Sequence, residues 1–87
     1  MRPRDEFFSR EHRYALGVDE ESGRHFASLP VSNGVVDYEE YFSLSVAEYA
    51  EYLAHPAKAL AFIEQCRARQ HDDLLIQAPG WNRGTPV

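Results

Sequence analysis

The stretch HRYALGVDEESGRHFASLPVSNGVVDYEEYFSL, residues 12–44, contains two turn signals that divide it into three segments of alternating character. Asn33-Gly34 predicts a two-residue hairpin loop, since both residue types tolerate the positive φ angles that such loops require. This loop would pair Ser32 with Val35. The stretch therefore predicts three strands joined by tight turns.

The polar run DEESGR, residues 19–24, predicts the earlier turn. If Asp19 faces Arg24 across a four-residue loop, opposite charges meet at its mouth and Val18 pairs with His25. A slip by one residue would turn every side chain of the first strand to the other face, so this register is an interpretation. It places eight side chains on one predicted core face: Tyr14, Leu16, Val18, Leu29, Val31, Val36, Tyr38 and Phe42.

Two consecutive helices are predicted after the strands. Ser45, with Glu48 three residues later, matches a capping box and begins the first helix. Pro56 ends that helix, because it holds the preceding residue in extended geometry, and it suits the first position of a second helix. The apolar residues 74–76 are long enough for one short added strand. Helical spacing predicts two core-facing stripes: Val46, Tyr49, Ala50 and Leu53 in the first helix, and Ala59, Phe62, Ile63 and Cys66 in the second.

This order of elements predicts an α+β domain. We expect a three-stranded antiparallel meander, two consecutive helices packed on one face, and a short C-terminal strand or extended tail. The chain of 87 residues has the size of one small domain, 1–87. Residues 1–11 and 79–87 are expected to be flexible or packing tails.

Charge is distributed unevenly along the chain, whose net charge is −5. Residues 14–56 contain Arg24 alone against eight carboxylates, whereas residues 1–13 and 57–87 each carry a small positive excess. An acidic field of this kind repels phosphate backbones and attracts cations. We therefore expect a basic protein partner or self-association, and no nucleic acid.

Several other classes of protein are excluded by the sequence. No stretch approaches the roughly 20 apolar residues of a membrane-spanning helix, so no membrane partner is expected. The charged N-terminus MRPRDEFFSREHR lacks the apolar centre of a signal peptide. Cys66 is the single cysteine and cannot form an internal disulfide, which makes the reducing cytoplasm the expected location. Motifs for a cofactor or a metal ion do not occur, so neither is expected.

The sheet face opposite the predicted core is the first candidate binding site. It would carry Phe26 and Tyr41 as cross-strand neighbours, with the carboxylates of Asp37 and Glu39 beside them. A single sheet with helices on one side should leave its other face mostly polar. Adjacent aromatic side chains rimmed by carboxylates are instead typical of a contact surface.

Trp81 and Arg83 in the C-terminal tail are the second candidate binding site, since both residue types are enriched at binding hot spots. Trp81 either anchors a partner or packs onto its own sheet, and packing is the favoured interpretation. Coverage of the sheet face by Phe7-Phe8 or Trp81, or packing in a homodimer, is likewise favoured over a foreign partner, because small domains often need extra burial.

The predicted function is a small interaction module whose acidic, aromatic sheet face receives a basic partner or a second copy of the chain. The alternative is a small hydrolase or isomerase that works with Glu40 and His25 in a cleft between sheet and helices. No nucleophile or oxyanion donor stands beside this pair, so no catalytic residue is assigned. A structural domain of a larger complex is a third hypothesis, which no sequence feature distinguishes from the first.

Overall fold

The computed structural model of the protein describes residues 1–87. The architecture is α+β, as predicted, with helices on one face of an antiparallel sheet. In chain order the elements are β1 (Pro3–Ser9), β2 (Tyr14–Asp19), β3 (His25–Ser32), β4 (Asp37–Leu44), α1 (Val46–Ala54), α2 (Pro56–Arg67), a 3-10 turn (Asp72–Leu74) and β5 (Thr85–Pro86). Strands β1 to β4 form a meander in that order, and β5 pairs with β3. Neither helix combines the length and apolar character that a bilayer crossing requires.

The sheet contains a strand that was not predicted, because residues 3–9, expected to belong to a tail, form β1. This strand pairs antiparallel with β2 and has a register shift between Asp5 and Phe7. Six of its seven residues are exposed. A charged, solvated edge strand shows no alternation of apolar and polar residues, so its sequence does not distinguish it from a tail.

The register predicted for the β2–β3 hairpin is confirmed. Val18 lies opposite His25, and the N–H of Asp19 donates to the carbonyl of Arg24 at 2.8 Å. The register determines which side chains of β2 face the helices. Leu16 is accordingly fully buried in the core, as predicted.

The predicted two-residue loop of the β3–β4 hairpin is wrong, because the loop has four residues and Ser32 pairs with Asp37. The side-chain oxygen of Asn33 accepts from the N–H groups of Val35 and Val36, at 3.0 and 2.9 Å, and stabilises this wider loop. The observed pairing of β3 with β4 is shifted by two residues from the predicted one. Because strand side chains alternate with a period of two, every side chain keeps its predicted face. Val36, predicted in the core, is exposed because it lies in the loop.

Pro30 lies inside β3, where a backbone N–H is normally required. β2 pairs with β3 only as far as Ser28, and β5 takes the same side of β3 from Val31 onward. Pro30 lies in the gap between these two neighbours, where its missing N–H removes no ladder hydrogen bond. Its carbonyl accepts from the N–H of Val87 at 3.2 Å, so part of the predicted C-terminal tail completes the sheet.

The core lies between the sheet and the two helices, and it confirms the buried stripe predicted for α2. The stripe predicted for α1 is mostly wrong, because only Tyr49 is buried while Val46 and Leu53 are exposed. α1 packs mainly against α2 and contacts the sheet less extensively, chiefly at β3 and β4. Tyr49 is its only buried residue, and the partly buried Tyr52 packs against the core. The Tyr49 hydroxyl also donates to the carboxylate of Glu6 on β1. Twelve buried residues form the core: Tyr14, Leu16, Ala27, Leu29, Val31, Phe42, Leu44, Tyr49, Ala59, Phe62, Ile63 and Cys66.

The predicted boundary signals of the helices are confirmed. The hydroxyl of Ser45 accepts from the N–H of Glu48 at 3.1 Å, and the Glu48 carboxylate accepts from the N–H of Ser45 at 2.9 Å. These reciprocal bonds form the capping box at the start of α1. α1 ends before His55, and Pro56 occupies the start of α2.

Asp19, at the end of β2, makes the β2–β3 hairpin sensitive to acid. Its buried carboxylate accepts from the N–H groups of Arg2 and Glu21 and from the Ser22 hydroxyl, at 2.9, 3.1 and 2.7 Å. The Arg2 N–H, followed by the Ser22 hydroxyl, lowers the pKa of Asp19 from 3.8 to about 2. Because the folded pKa lies below the unfolded one, this stabilisation is present above pH 3.8 and is lost as the pH falls towards about 2.

We therefore expect Asp19→Asn to lower the urea midpoint at neutral pH and to have little effect at pH about 2, where Asp19 itself becomes protonated. Urea unfolding followed by circular dichroism over this pH range measures the difference. A destabilisation by Asp19→Asn that stays the same across the range would contradict this account.

Gly17 is a position where the fold requires a residue without a side chain. An added Cβ would lie 2.3 Å from the carbonyl oxygen of Arg4 and 2.7 Å from the ring of Phe26. We expect Gly17→Ala to lower the free energy of unfolding by about 1–3 kcal/mol, because backbone and ring must move apart. Gly80→Ala is the matched control, since a Cβ there meets nothing within 4 Å. Urea unfolding should place this control within about 0.5 kcal/mol of the parent protein, and equal losses in both variants would refute the clash.

Candidate functional site

The C-terminal part of the chain folds along the free edge of β4. The N–H of Ile76 donates to the carbonyl of Tyr41 at 2.9 Å. Residues 74–76 form an isolated bridge with β4 in place of the predicted short strand, because the 3-10 turn includes the first of them. The chain is held to β4 again at Gly84, whose N–H donates to the Tyr38 hydroxyl at 2.7 Å.

Arg83 anchors this returning segment through an ion-pair network. Its guanidinium donates to both carboxylate oxygens of Glu40, at 2.7 and 3.1 Å, and to both of Asp72, at 2.7 and 2.9 Å. Glu40 is only 7% exposed and lies on the core face of β4, so its charge requires a paired cation. The hydrogen bonds from Arg83 also lower the pKa of Asp72. Arg83, a predicted partner-binding residue, thus has its donors engaged within the molecule.

A cavity of about 240 Å³ lies between residues 77–82 and residues 38–41 of β4. Three of the predicted site residues line it, namely Glu39, Tyr41 and Trp81. The sequence favoured packing of Trp81 onto its own sheet, but Trp81 is 97% exposed and does not pack there. The structure therefore brings the two candidate sites, the sheet face and the C-terminal tail, together at the edge of β4.

Phe26 does not belong to an exposed aromatic pair. Its ring is fully buried on the outer face, which is the sheet face away from the helices. It contacts Tyr41 edge to face, with ring centroids 4.9 Å apart, and it lies against Gly17, which leaves room for it. The shifted register places Ser28 directly opposite Tyr41. Only the half-buried Tyr41 of this pair remains partly accessible.

The negative charge of Asp5 on β1 reaches two groups of β4, Glu39 and Tyr41. Neighbouring groups exclude part of the water around the exposed Glu39 on β4, which raises its pKa, and the negative charge of Asp5 on β1 raises it further. Burial also raises the pKa of Tyr41, with added contributions from Glu39 and Asp5. Both carboxylates therefore disfavour further negative charge at this surface. A cation brought to the surface would relieve this repulsion.

The enzyme hypothesis requires His25 and Glu40 to lie together in one cleft, and in the structure they are apart. His25 lies opposite Leu44, whereas Glu40 lies opposite Leu29. The two side chains are thus four residues apart along β3, or roughly 13 Å. His25 instead packs against Tyr49, with ring centroids 4.5 Å apart, and Glu40 is engaged in the ion-pair network. No group of three or more His, Cys, Asp or Glu side chains is placed to hold a metal ion.

Sequence reasoning did not find Asp5, Asp72 or the cavity wall formed by residues 77–80. They lie in an edge strand, a 3-10 turn and an irregular segment, whose sequences carry no apolar periodicity. Glu40 was the one residue whose position in the sequence indicated that a distant part of the chain must contact β4. A carboxylate at a core position requires a cation from elsewhere in the chain, and Arg83 meets that requirement.

Comparisons with models of protein families, with curated proteins and with solved structures find no match to this chain.

The pairing of Arg83 with Glu40 leads to a test of stability. Arg83→Met would leave the Glu40 carboxylate buried without a cation, and we expect a loss of about 3 kcal/mol in the free energy of unfolding. Adding Glu40→Met to this variant removes the unpaired charge and should restore most of the loss, because apolar replacement of both partners is often neutral. Urea unfolding of both single variants and the double variant measures the coupling. Additive losses would show that the two residues act independently.

Proposed function

We propose that the protein is a small interaction module that binds a basic partner protein through one surface at the edge of β4. This surface consists of Asp37, Glu39, Tyr41 and Trp81 and is called the β4 surface below. The observation that carries the proposal is Trp81, 97% exposed beside a cavity that Glu39 and Tyr41 also line.

The aromatic residues of the β4 surface support a role in binding. Trp and Tyr dominate the binding energy of many interfaces, where they fill pockets and are surrounded by polar side chains. Trp81 is the only Trp of the chain and contributes nothing to the core. Burial of such a side chain by a partner would remove apolar surface from water, which favours association.

The charge of the surface favours a basic partner. Asp37 and Glu39 are exposed and form no ion pair within the protein. Arg83, the nearest cation along the tail, is engaged with Glu40 and Asp72. The surface thus presents carboxylates without a neutralising side chain, which attracts Lys and Arg and repels phosphate groups.

A second copy of the chain is a less suitable occupant of the same surface. A symmetric dimer would place the β4 surface against itself, since such an interface uses the same patch on both subunits. Asp37 and Glu39 would then face the same carboxylates of the other copy.

The buried, unpaired Cys66 is consistent with action in a reducing compartment, and we place the module in the cytoplasm.

Capture of partners with variants of the β4 surface tests the proposal. The tagged protein is incubated with a lysate of its native cells, washed, and eluted with rising salt, and captured proteins are identified by mass spectrometry. We expect a basic protein that elutes as salt screens the carboxylates, and that is lost with Trp81→Ala or Glu39→Gln. The captured protein is then produced in pure form and its affinity measured directly, with a loss of about tenfold expected for Trp81→Ala.

Phe8→Ala and Glu11→Gln are the matched controls for this experiment. Phe8 is an exposed aromatic residue on β1, the opposite edge strand, and Glu11 is an exposed carboxylate outside the site. Both controls should retain the partner. If the purified partner binds Trp81→Ala and Glu39→Gln as tightly as the parent protein, the β4 surface is not its binding site.

A further inference from the structure

The free edge of β4 presents backbone groups that are oriented for pairing with another strand. Antiparallel residue pairs alternate between pairs that bond each other and pairs whose N–H and C=O groups point away. Glu39 lies opposite Pro30, which has no N–H to donate, so this pair is of the second kind. Glu39 thus points its N–H and C=O to the free edge, as does Asp37 two residues earlier. The carbonyl of Tyr41, two residues after Glu39, points to the same edge and accepts there from the N–H of Ile76.

The protein covers only part of this edge. The bond from Ile76 to the Tyr41 carbonyl is the last backbone-to-backbone hydrogen bond that the C-terminal segment makes to β4. Beyond it, residues 77–82 stand away from the strand and leave the cavity of about 240 Å³. No strand of the protein pairs with β4 on this side of Asp37 and Glu39. An unpaired row of backbone groups is a template for strand addition.

We propose that the partner binds as an extended basic segment that adds a strand to β4 at Asp37 and Glu39. This inference rests on the proposed function and specifies how the same surface would be used. Main-chain hydrogen bonds would supply part of the affinity, and alternate side chains of the segment would supply specificity. Lys or Arg side chains on the outer face would lie beside Asp37 and Glu39, which share that face.

The cavity suits one side chain of such a segment. Its volume of about 240 Å³ is below the range of roughly 300–1,000 Å³ typical of small-molecule sites. Tyr38, Tyr41 and Trp81 all line it, together with Glu39. A cationic side chain there would meet aromatic rings as well as a carboxylate, and both interactions favour a cation.

The acidic edge selects against a second copy of β4. If two copies of the strand paired around Glu39, this carboxylate would lie opposite itself; if they paired around Tyr38, Asp37 would lie opposite Glu39. Like charges in directly opposite positions destabilise a strand pair. A basic segment places opposite charges at the same positions.

The test compares Glu39→Pro with Glu39→Gln. Both substitutions remove the carboxylate, but only proline also removes the N–H that faces the free edge. Proline is tolerated in an edge strand where this N–H bonds to nothing in the sheet. Binding is measured with linear peptides selected from a random display library on the parent protein, using the fluorescence of Trp81, the only Trp.

We expect the selected peptides to be rich in Lys and Arg and to shift the Trp81 emission to shorter wavelength. Glu39→Pro should bind them at least about fivefold more weakly than Glu39→Gln, because a backbone hydrogen bond is lost. Equal affinities of these two variants would overturn strand addition while leaving the proposed function intact. Selection of no peptide, or of peptides without basic residues, would also overturn it, and the capture experiment then decides the proposed function independently.

Two further measurements distinguish strand addition from misfolding of the variant and from self-association. Circular dichroism checks that Glu39→Pro is folded; if it is not, the selected peptide is N-methylated at alternate residues in two frames. Strand addition requires that only one frame abolishes binding, since the other frame's N–H groups face away from β4. Sedimentation of the protein alone should give a monomer, and a dimer that is abolished by Glu39→Pro but kept by Glu39→Gln would show that a second copy occupies the edge.

Discussion

The salt bridge between Arg83 and Glu40 is the contact on which the arrangement of the C-terminal segment depends. A carboxylate on the core face of β4 is tolerated only with a paired cation, and Arg83 reaches it from 43 residues later in the chain. Asp72 holds the other side of the same guanidinium. This network joins the sheet, the 3-10 turn and the tail, and it positions residues 77–82 beside β4.

β1 and β4 are the edge strands of the sheet, and the chain itself covers part of the β4 edge. β1 covers β2 with an exposed, charged strand, and β5 fills the gap beyond the end of β2, where Pro30 needs no partner. Residues 75–76 cover the far half of β4. The remaining groups at Asp37 and Glu39 are open, which a monomeric protein normally avoids unless charge or function explains it. Here the carboxylates themselves oppose pairing with acidic or identical strands.

The sequence and the structure agree where local chemistry determines the result. The capping box of Ser45 and the opposition of Asp19 to Arg24 are formed as predicted. The β3–β4 loop is two residues longer than expected, because the Asn33 side chain stabilises a wider turn, yet each side chain keeps its face. Phe26 was placed on the correct face but not in the correct environment. Its burial depends on Gly17 of the neighbouring strand, which leaves room for the ring, and on the Tyr41 ring that packs against it.

Four features could be read from the linear chain: the α+β class, the inner and outer faces of the sheet, the start of each helix and the acidity of β4. These properties follow from turn residues, alternation and caps, which act over a few residues and can be seen in a linear chain. The folded arrangement was needed to show that Arg83 pairs with Glu40, that Trp81 stays exposed, and that a cavity is lined by Glu39, Tyr41 and Trp81. Such contacts join segments far apart in the chain, and which distant groups meet depends on how the packed elements are placed, which no local pattern records.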